Sequence, residues 1–210
     1  MPSRGPLGDR TIAVIGGTGQ LGAALASRWR AAGLTVVVGS RSGTPYAEAA
    51  AAADVIVVTV PFAAQADILA AIAPHAAGKI VLDTTVPLVP PRVMRVQLPS
   101  EGSAAQRAQA LLGESVSVIS AFHNVSAHKL AGPGAVDCDC LVFGDDKADR
   151  AFGVALAEAA GLRGIHGGAL ANSAAAEALT SVLIFLNRAY KSEGAGVRIT
   201  NLPDAGDAAA

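Results

Sequence analysis

Three glycines that directly follow a short apolar run constrain the fold of this chain more than any other feature of its sequence. The run Thr11–Ile15 is rich in β-branched residues, and Gly17, Gly19 and Gly22 follow it and open a stretch with helical periodicity. In a strand–turn–helix unit with this spacing, the first glycine allows a tight turn and the second lets a ligand approach the backbone. The third lets the helix pack on the strand, and the free N–H groups at the helix N-terminus attract an anion. The spacing predicts an α/β fold with a pyrophosphate site at its first turn.

Apolar runs alternate with helical stretches through the first 170 residues. Most runs are continuous in Val, Ile and Leu, which is typical of strands buried on both faces of a sheet. The predicted strands are Thr11–Ile15, Thr35–Gly39, Val55–Val60, Lys79–Asp83, Val116–Ser120, Cys140–Phe143 and Arg163–His166. The predicted helices are Leu21–Ala32, Ala47–Ala53, Ala63–Ala73, Ser103–Leu112 and Lys147–Ala160. This order predicts a Rossmann-like, doubly wound α/β fold with a mostly parallel sheet.

The crossover after the second predicted strand is short. Fifteen residues, Ser40 to Asp54, separate the second and third strands. One helix fits in that length, whereas the extra strand and second helix of a full mononucleotide unit do not. The sheet is therefore predicted to lack one edge strand beside Thr35–Gly39.

The sequence pattern changes near residue 171. Asn172–Ala189 is a long apolar helical stretch with few charges, and Tyr190–Leu202 follows it. A helix of this kind buries its apolar face against its own domain or a second subunit. We interpret residues 1–170 as a nucleotide-binding domain and residues 171–202 as a helical segment that completes the site and forms a homodimer interface. Residues 203–210 are predicted to form a disordered tail.

Composition narrows the classes of partner. Sixteen Lys and Arg residues are balanced by seventeen Asp and Glu, which argues against the basic footprint of a nucleic-acid binder or a polybasic membrane-surface protein. We find neither an apolar run of membrane-spanning length nor the apolar core of a signal peptide, so we expect no membrane partner and a cytoplasmic location. The two cysteines, Cys138 and Cys140, lack further ligands at metal spacing. We predict no metal site and interpret this pair as strand residues on one face.

The end of the second predicted strand selects the cofactor. Sites for NAD place an Asp or Glu here, because a carboxylate accepts from the ribose 2′-hydroxyl and repels a 2′-phosphate. This chain has Ser40 and Arg41 instead, with no acid for several residues. Ser40 can donate a hydrogen bond and Arg41 a charge-assisted one, so NADP(H) is favoured over NAD. An ordinary exposed arginine is the alternative interpretation.

Further candidate residues follow the later strands. Val60-Pro61-Phe62, Thr84–Pro87 and Ser120–His123 come directly after three predicted strands, and the carboxyl ends of parallel strands share one crevice. His123 either lines that crevice or is a satisfied core histidine, and the sequence leaves both open. The remaining histidines are interpreted as structural or superficial: His75 and His166 as structural, and His128 as a surface residue.

Several stretches together resemble one family, the deazaflavin-dependent NADP oxidoreductases, which move hydride between NADP(H) and coenzyme F-420 (8-hydroxy-5-deazaflavin). The similar stretches cover nearly the whole chain in order. They are Val14–Gly19, Gly39–Ser42, Thr59–Pro61, Pro99–Ala105, Ser120–Ala127 (SAFHNVSA), Gly144–Asp146 and Asn172–Ile199. The first stretch is common to dinucleotide-binding folds, whereas SAFHNVSA and the C-terminal stretch are specific to the family.

The resemblance implies a set of cofactor-binding residues. Thr18, Ser40 and Arg41 would hold the 2′-phosphate end of NADP(H), and the glycine turn would lie under the pyrophosphate. The deazaflavin ring would lie over the nicotinamide, between the loops that contain Pro87 and His123. The full implied set is Gly17, Thr18, Gly19, Gln20, Leu21, Ser40, Arg41, Val60, Pro61, Val86, Pro87, His123, Ser126 and Asn172. Family members usually carry another basic residue just past the Ser-Arg pair, where this chain has Gly43-Thr44-Pro45.

The implied reaction is the reduction of F-420 by NADPH in an enzyme. Hydride passes directly between two stacked rings, so no side-chain nucleophile is needed, and His123 is only a candidate hydrogen-bond donor. A short-chain reductase would need a Tyr-x-x-x-Lys pair, but Ala50 and Gly194 stand four positions after the two tyrosines. The other alternative is a non-catalytic NADP(H)-binding regulatory or redox-sensing protein.

Overall fold

Seven strands form a single sheet in the order β2-β1-β3-β4-β5-β6-β7. This computed structural model describes residues 7–202. The first five strands are parallel, β6 runs antiparallel to β5, and β7 is parallel to β6. The strands are β1 Thr11–Ile15, β2 Thr35–Gly39, β3 Val55–Val58, β4 Ile80–Asp83, β5 Ser117–Ser120, β6 Asp139–Gly144 and β7 Arg163–Gly168. The predicted mostly parallel sheet is confirmed, and each strand lies within two residues of its predicted bounds.

Helices connect the strands and cover the sheet. They are α1 Gln20–Ala31, α2 Tyr46–Ala51, α3 Phe62–Ile72, α4 Ala104–Leu112, α5 Ala127–Ala131, α6 Lys147–Ala159 and α7 Ser173–Tyr190. Short 3₁₀ turns, Ala73–His75 and Leu170–Asn172, follow α3 and precede α7. Helix α5 was not predicted, because its five residues are too few to show a helical period.

Strand β2 lies at the edge of the sheet, as the short crossover predicts. Its strand partner is β1, and β1 pairs on its other side with β3. The connection from β2 to β3 contains a single helix, α2, which is six residues long. A single isolated bridge between Gly39 and Thr44 takes the place of further pairing at the end of β2. The predicted loss of one edge strand is therefore confirmed.

The core lies on both faces of the sheet. Successive residues of β1 point to opposite sides, so that Ile12 and Val14 belong to one buried cluster while Ala13 and Ile15 belong to the other. Burial on both sides explains why the strand sequences are continuously apolar. Trp29 of α1 anchors the first cluster, since its ring is fully buried and its indole N–H donates to the Leu156 carbonyl at 2.9 Å.

The chain after α7 returns along β6. The backbone N–H of Asp139 donates to the Val197 carbonyl at 2.7 Å, and the Arg163 guanidinium pairs with the Asp139 carboxylate at 2.7 Å. Arg163 also donates to the Ile199 carbonyl, which ties this last segment to β7. The separate role assigned to residues 171–202 stays a prediction, and the predicted tail, residues 203–210, lies outside the described residues.

Helix α7 and its preceding turn form the one helix between residues 7 and 202 that is long and apolar enough to cross a membrane. The segment is Leu170–Tyr190, and 33% of its most apolar window is buried in the structure. A core helix meets the same two criteria of length and apolarity. Here Ser173 and Glu177 are fully buried and make hydrogen bonds to the start of α4, so α7 packs on the sheet domain.

The two cysteines lie where β6 begins. Cys140 is a strand residue, while Cys138 immediately precedes the strand, and both are buried free thiols in the same core cluster. Burial raises the pKa of the Cys140 thiol to about 12. Among residues 7–202 no group of three or more His, Cys, Asp or Glu side chains is arranged to hold a metal ion.

Candidate functional site

The turn after β1 depends on glycine for two different reasons. Gly16 has φ of +83°, and its N–H donates to the Gly39 carbonyl at the end of β2. A Cβ on Gly22 would lie 2.5 Å from the Thr59 hydroxyl, and one on Gly17 would lie 2.8 Å from Val38. The tight turn that the sequence assigned to Gly17 is therefore made by Gly16. Gly17 and Gly22 are required by close packing instead.

Helix α1 begins at Gln20 with its first N–H groups free of side-chain caps. Gly19 is the N-cap residue, no side chain caps the helix, and no acidic residue lies in its first turn. Thr18, Gly19 and Gln20 are exposed. An uncapped helix N-terminus next to a glycine turn can bind an anion through backbone N–H groups. The turn therefore fits the pyrophosphate predicted for it.

Ser40 and Arg41 lie beside this turn, because β1 and β2 pair with Ile15 opposite Gly39. Ser40 is 6% exposed and its N–H donates to the Thr44 carbonyl at 2.9 Å. Arg41 is exposed, and within residues 7–202 no hydrogen bond or ion pair engages its guanidinium. The arginine is therefore available for an anionic ligand, as its predicted role requires.

The end of β3 lies against the glycine turn, and the end of β4 lies beside the end of β3. Thr59 donates from its N–H and its hydroxyl to the Ile15 carbonyl, both at 2.9 Å, and a Cβ on Gly16 would meet Val60. Pro61 is exposed and is the N-cap residue of α3. The next strand continues into Val86, which is half-buried, and Pro87, which is buried. Both loops leave the same edge of the sheet as the glycine turn.

His123 follows β5 after a strained residue. Phe122 has φ of +67°, a left-handed conformation that costs a bulky side chain roughly 1–3 kcal/mol. This turn directs the Phe122 ring into the core, where it meets the Trp29 ring edge to face at 6.0 Å. The next side chain, His123, is thereby directed away from that core cluster.

The His123 ring is buried, but only one of its nitrogens is paired. Nε2 lies 2.7 Å from the Ser120 hydroxyl, whereas Nδ1 has no hydrogen-bond partner within the described part of the chain. Burial lowers the pKa of His123 to about 3, so the ring is neutral near pH 7. His123 is therefore not a fully satisfied core histidine. An unpaired, buried ring nitrogen can donate to or accept from a ligand.

Two predicted residues make local hydrogen bonds. The Ser126 hydroxyl caps α5 by accepting from the Lys129 N–H at 3.4 Å. Asn172 is exposed, and its amide donates to the Gly167 carbonyl at 3.0 Å. Neither contact tests cofactor binding, so the cofactor-binding roles of both residues stay predictions.

A buried polar network that sequence reasoning missed lies next to the β4 loop. The Asp83 carboxylate ends β4, accepts from the Thr85 N–H at 2.9 Å and from the Gln65 amide at 2.5 Å. The Glu177 carboxylate on α7 accepts from the N–H groups of Ala104 and Ala105. Burial raises the pKa of Asp83 to about 6 and that of Glu177 to about 7. The signal available in the sequence was a single acid within each of two otherwise apolar segments.

The glycine turn, the uncapped start of α1 and the Ser40-Arg41 pair define a Rossmann-type nucleotide-binding protein. Comparison with known proteins then identifies its family. A family model described as NADP oxidoreductase, coenzyme F420-dependent, matches residues 11–87. The F420-dependent NADP reductase of Methanothermobacter thermautotrophicus is 39% identical over 92% of this chain and 96% of its own length. The protein of the same name from Methanocaldococcus jannaschii is 34% identical over 91% of this chain and 98% of its own.

This chain therefore belongs to the F420-dependent NADP reductase family, and the family predicted from the sequence is confirmed. A solved structure of a candidate F420-dependent NADP reductase from Arthrobacter sp. FB24 shares the fold, with a TM-score of 0.82 and 24% identity. That comparison covers 91% of this chain and all of the other. No similarity found supports the alternative of a non-catalytic regulatory protein.

Proposed function

We propose that this chain is an enzyme that transfers hydride between NADP(H) and the deazaflavin coenzyme F-420, reducing F-420 with NADPH. The observation that carries the proposal is the 39% identity, along nearly the full length of both chains, to a protein named F420-dependent NADP reductase. The open glycine turn and the exposed Arg41 at the same edge of the sheet agree with it. The bound cofactors supply the hydride chemistry, so the protein has to bind and orient the cofactors and exclude water from between them.

The nucleotide end is proposed to depend on the first two strand ends. Backbone N–H groups of Gln20 and Leu21 would face the pyrophosphate, since neither is capped by a side chain, while the Gly19 N–H donates to the Gly16 carbonyl at 2.9 Å and shapes the turn. Thr18, Ser40 and Arg41 would contact the 2′-phosphate, Arg41 through a charge-assisted hydrogen bond. Val60 and Pro61 would lie beside the nicotinamide ribose, because their loop packs on the glycine turn.

The deazaflavin is proposed to lie between the loop at Val86 and Pro87 and the loop from His123 to Ser126. Asn172, just before α7, is proposed to contact it as well. When Ser120 donates to Nε2 of His123, the ring proton is on Nδ1, and this N–H can donate a hydrogen bond to the deazaflavin. A neutral histidine in a buried setting stabilises developing negative charge through this bond without transferring its proton. No side-chain base is required.

A two-cofactor assay tests the proposal. The protein is mixed with NADPH and oxidised F-420, and the deazaflavin absorbance is followed, with NADH in place of NADPH as the control. Loss of absorbance that requires both the protein and NADPH is expected. Binding of NADPH without any change in the deazaflavin would contradict the proposal and favour a regulatory protein.

We also propose that the enzyme is a cytoplasmic homodimer. On the outer face of α7, the side chains of Val182 and Phe185 are 43% and 53% exposed to solvent. Val96, in the segment between β4 and α4, is 50% exposed. The Ser181 hydroxyl donates to the Arg95 carbonyl, so these apolar side chains lie on neighbouring segments. Two free thiols agree with a reducing compartment. Light scattering should give twice the chain mass, and a monomer would contradict the dimer.

A further inference from the structure

The start of α4 is held from two sides at one residue, Ala104. Its N–H donates to the Glu177 carboxylate on α7 at 2.6 Å, and its carbonyl accepts from the Gln65 amide on α3 at 2.9 Å. The same Gln65 amide donates to the Asp83 carboxylate at the end of β4. Through Ala104, the C-terminal helix is therefore joined to the strand that leads into the Val86-Pro87 loop.

Residues near Glu177 on α7 make hydrogen bonds to the His123 loop, which is the second of the two loops proposed to hold the deazaflavin. The Asn124 amide donates to the Ala176 carbonyl at 2.8 Å, and the Thr180 hydroxyl donates to the His123 carbonyl at 2.9 Å. These contacts join segments more than fifty positions apart in the chain. The position of α7 therefore fixes the His123 loop relative to the β4 loop.

Glu177 is well suited to set that position. The side chain is 1% exposed, and both of its carboxylate oxygens accept from backbone N–H groups in the first turn of α4. When ionised, the carboxylate faces the positive end of the α4 dipole, in a helix of nine residues. A second bond, between the hydroxyls of Ser173 and Ser103 at 2.8 Å, lies beside it.

We propose that Glu177 is a positioning residue that sets the gap between the β4 loop and the His123 loop by anchoring α7 to the N-terminus of α4. The proposal rests on the proposed function only in taking these two loops as the walls that hold the deazaflavin. Glu177 contacts neither wall itself, and it acts through α7. The ionisable group that faces it is Asp83 of β4, and its uncharged polar side-chain neighbour is Ser173 at the start of α7.

The first test needs no cofactor. Hydrogen exchange, followed by mass spectrometry of peptides, is compared between wild type and Glu177→Gln, which keeps the shape but replaces one acceptor oxygen with a donor. We expect exchange to become roughly tenfold faster or more both at the start of α4 and in residues 120–126. Faster exchange confined to the start of α4 would overturn the proposal, because Glu177 would then be a local cap.

Two control variants distinguish the positioning role of Glu177 from a general loss of local stability. Ser181→Ala removes a different α7 contact, the bond to the Arg95 carbonyl, and should leave exchange in residues 120–126 unchanged. Glu158→Gln removes an exposed carboxylate on α6 and should change neither region. If either control accelerates exchange in residues 120–126 as strongly as Glu177→Gln does, the proposed specificity of Glu177 is refuted.

The second test uses both cofactors. Glu177→Gln should raise the KM for F-420 about tenfold and leave the KM for NADPH within about twofold, because the glycine turn is held by other contacts. Any change in the KM for F-420 between pH 6 and pH 8 in wild type should disappear in the variant. An equal rise in the KM for F-420 and in the KM for NADPH would contradict the positioning role. A wild type inactive with F-420 would refute the proposed function, while the exchange result would still decide the role of Glu177.

Discussion

The two halves of the candidate site are built in different ways. The nucleotide half is formed by one continuous stretch, in which β1, the glycine turn, α1 and β2 follow one another. The half proposed for the deazaflavin joins distant segments, because hydrogen bonds connect Asp83 with α3, Ala104 with Glu177, and Asn124 with α7. A continuous unit is fixed mainly by local sequence, whereas the assembled half depends on long-range contacts between buried polar groups.

The halves also differ in their electrostatics. The nucleotide half presents an exposed arginine and free backbone N–H groups, and no acid caps the first turn of α1. The assembled half contains two buried carboxyls and a neutral histidine, each with a pKa shifted by loss of water. We therefore expect changes in pH to affect the assembled half first. The following predictions test this division, from the largest expected effect to the smallest.

Asp83 should make the free energy of unfolding depend on pH. Burial raises its pKa to about 6, so between pH 4 and 6 the folded chain keeps a proton that the unfolded chain has released, and stability falls as pH rises. Relative to Asp83→Asn, wild type should lose roughly 2–3 kcal/mol between pH 4 and pH 7. Denaturant unfolding at several pH values measures this difference. A constant difference would show that Asp83 does not hold its proton in the fold.

Gly22→Ala should destabilise the nucleotide half. The new methyl group would lie 2.5 Å from the Thr59 hydroxyl and 2.7 Å from the Gly17 backbone, which cannot move without shifting the turn. We expect a loss of about 2–3 kcal/mol in thermal or denaturant unfolding. Gly132→Ala is the matched control, since its added Cβ would meet its nearest atom at 3.4 Å. If both variants unfold alike, close packing at Gly22 is not what the turn requires.

Arg41→Ala should separate the two cofactors. Loss of a charge-assisted bond to the 2′-phosphate should weaken NADPH binding by roughly 1.5–3 kcal/mol and leave NADH nearly unchanged. The KM for F-420 should not change, because Arg41 belongs to the nucleotide half. Titration calorimetry with both nucleotides measures the effect, and Lys147→Ala serves as the charge-matched control. Equal losses for NADPH and NADH would contradict the assignment of Arg41.

Ser103→Ala should produce the smallest of these effects. The Ser103 hydroxyl accepts from the Gln106 N–H at 3.0 Å and from the Ser173 hydroxyl at 2.8 Å, so its loss should cost about 1–2 kcal/mol of stability. Ser100→Ala, at an exposed position of the same loop, should cost less than about 0.5 kcal/mol. Differential scanning calorimetry can resolve the two. A neutral Ser103→Ala would indicate that Glu177 alone holds the helix start.

The sequence predicts the continuous half of the molecule well and the assembled half poorly. The strands, the edge position of β2 and the glycine turn follow from local apolar periodicity and from spacing, which need no knowledge of distant contacts. The positive φ at Gly16 was missed because Gly17 occupies the first place of the motif. Whether His123 is paired depends on Ser120 and on the left-handed turn at Phe122, and a bulky residue such as Phe does not predict that turn.

The buried carboxyls could not be placed from the sequence either. Asp83 could be assigned to a strand end, but nothing nearby indicates that Gln65, eighteen positions earlier, donates to it. The sequence places Glu177 in an apolar helix and indicates nothing more, because its partners are the N–H groups of α4, more than seventy positions away. The residue type does not indicate which backbone N–H groups act as hydrogen-bond partners, so such a partner can be identified only from the structure.

The edge position of β2 has a consequence for solubility. A strand without an outer neighbour exposes backbone groups on which another polypeptide can add a strand, and long bare edges lead to aggregation. Here the exposed strand is only five residues long, and Thr44 bridges to its last residue. The Arg30 guanidinium also donates to the Val36 carbonyl within it. Too little unprotected backbone remains to template intermolecular β-pairing, so the shortened crossover does not make the protein prone to form fibres.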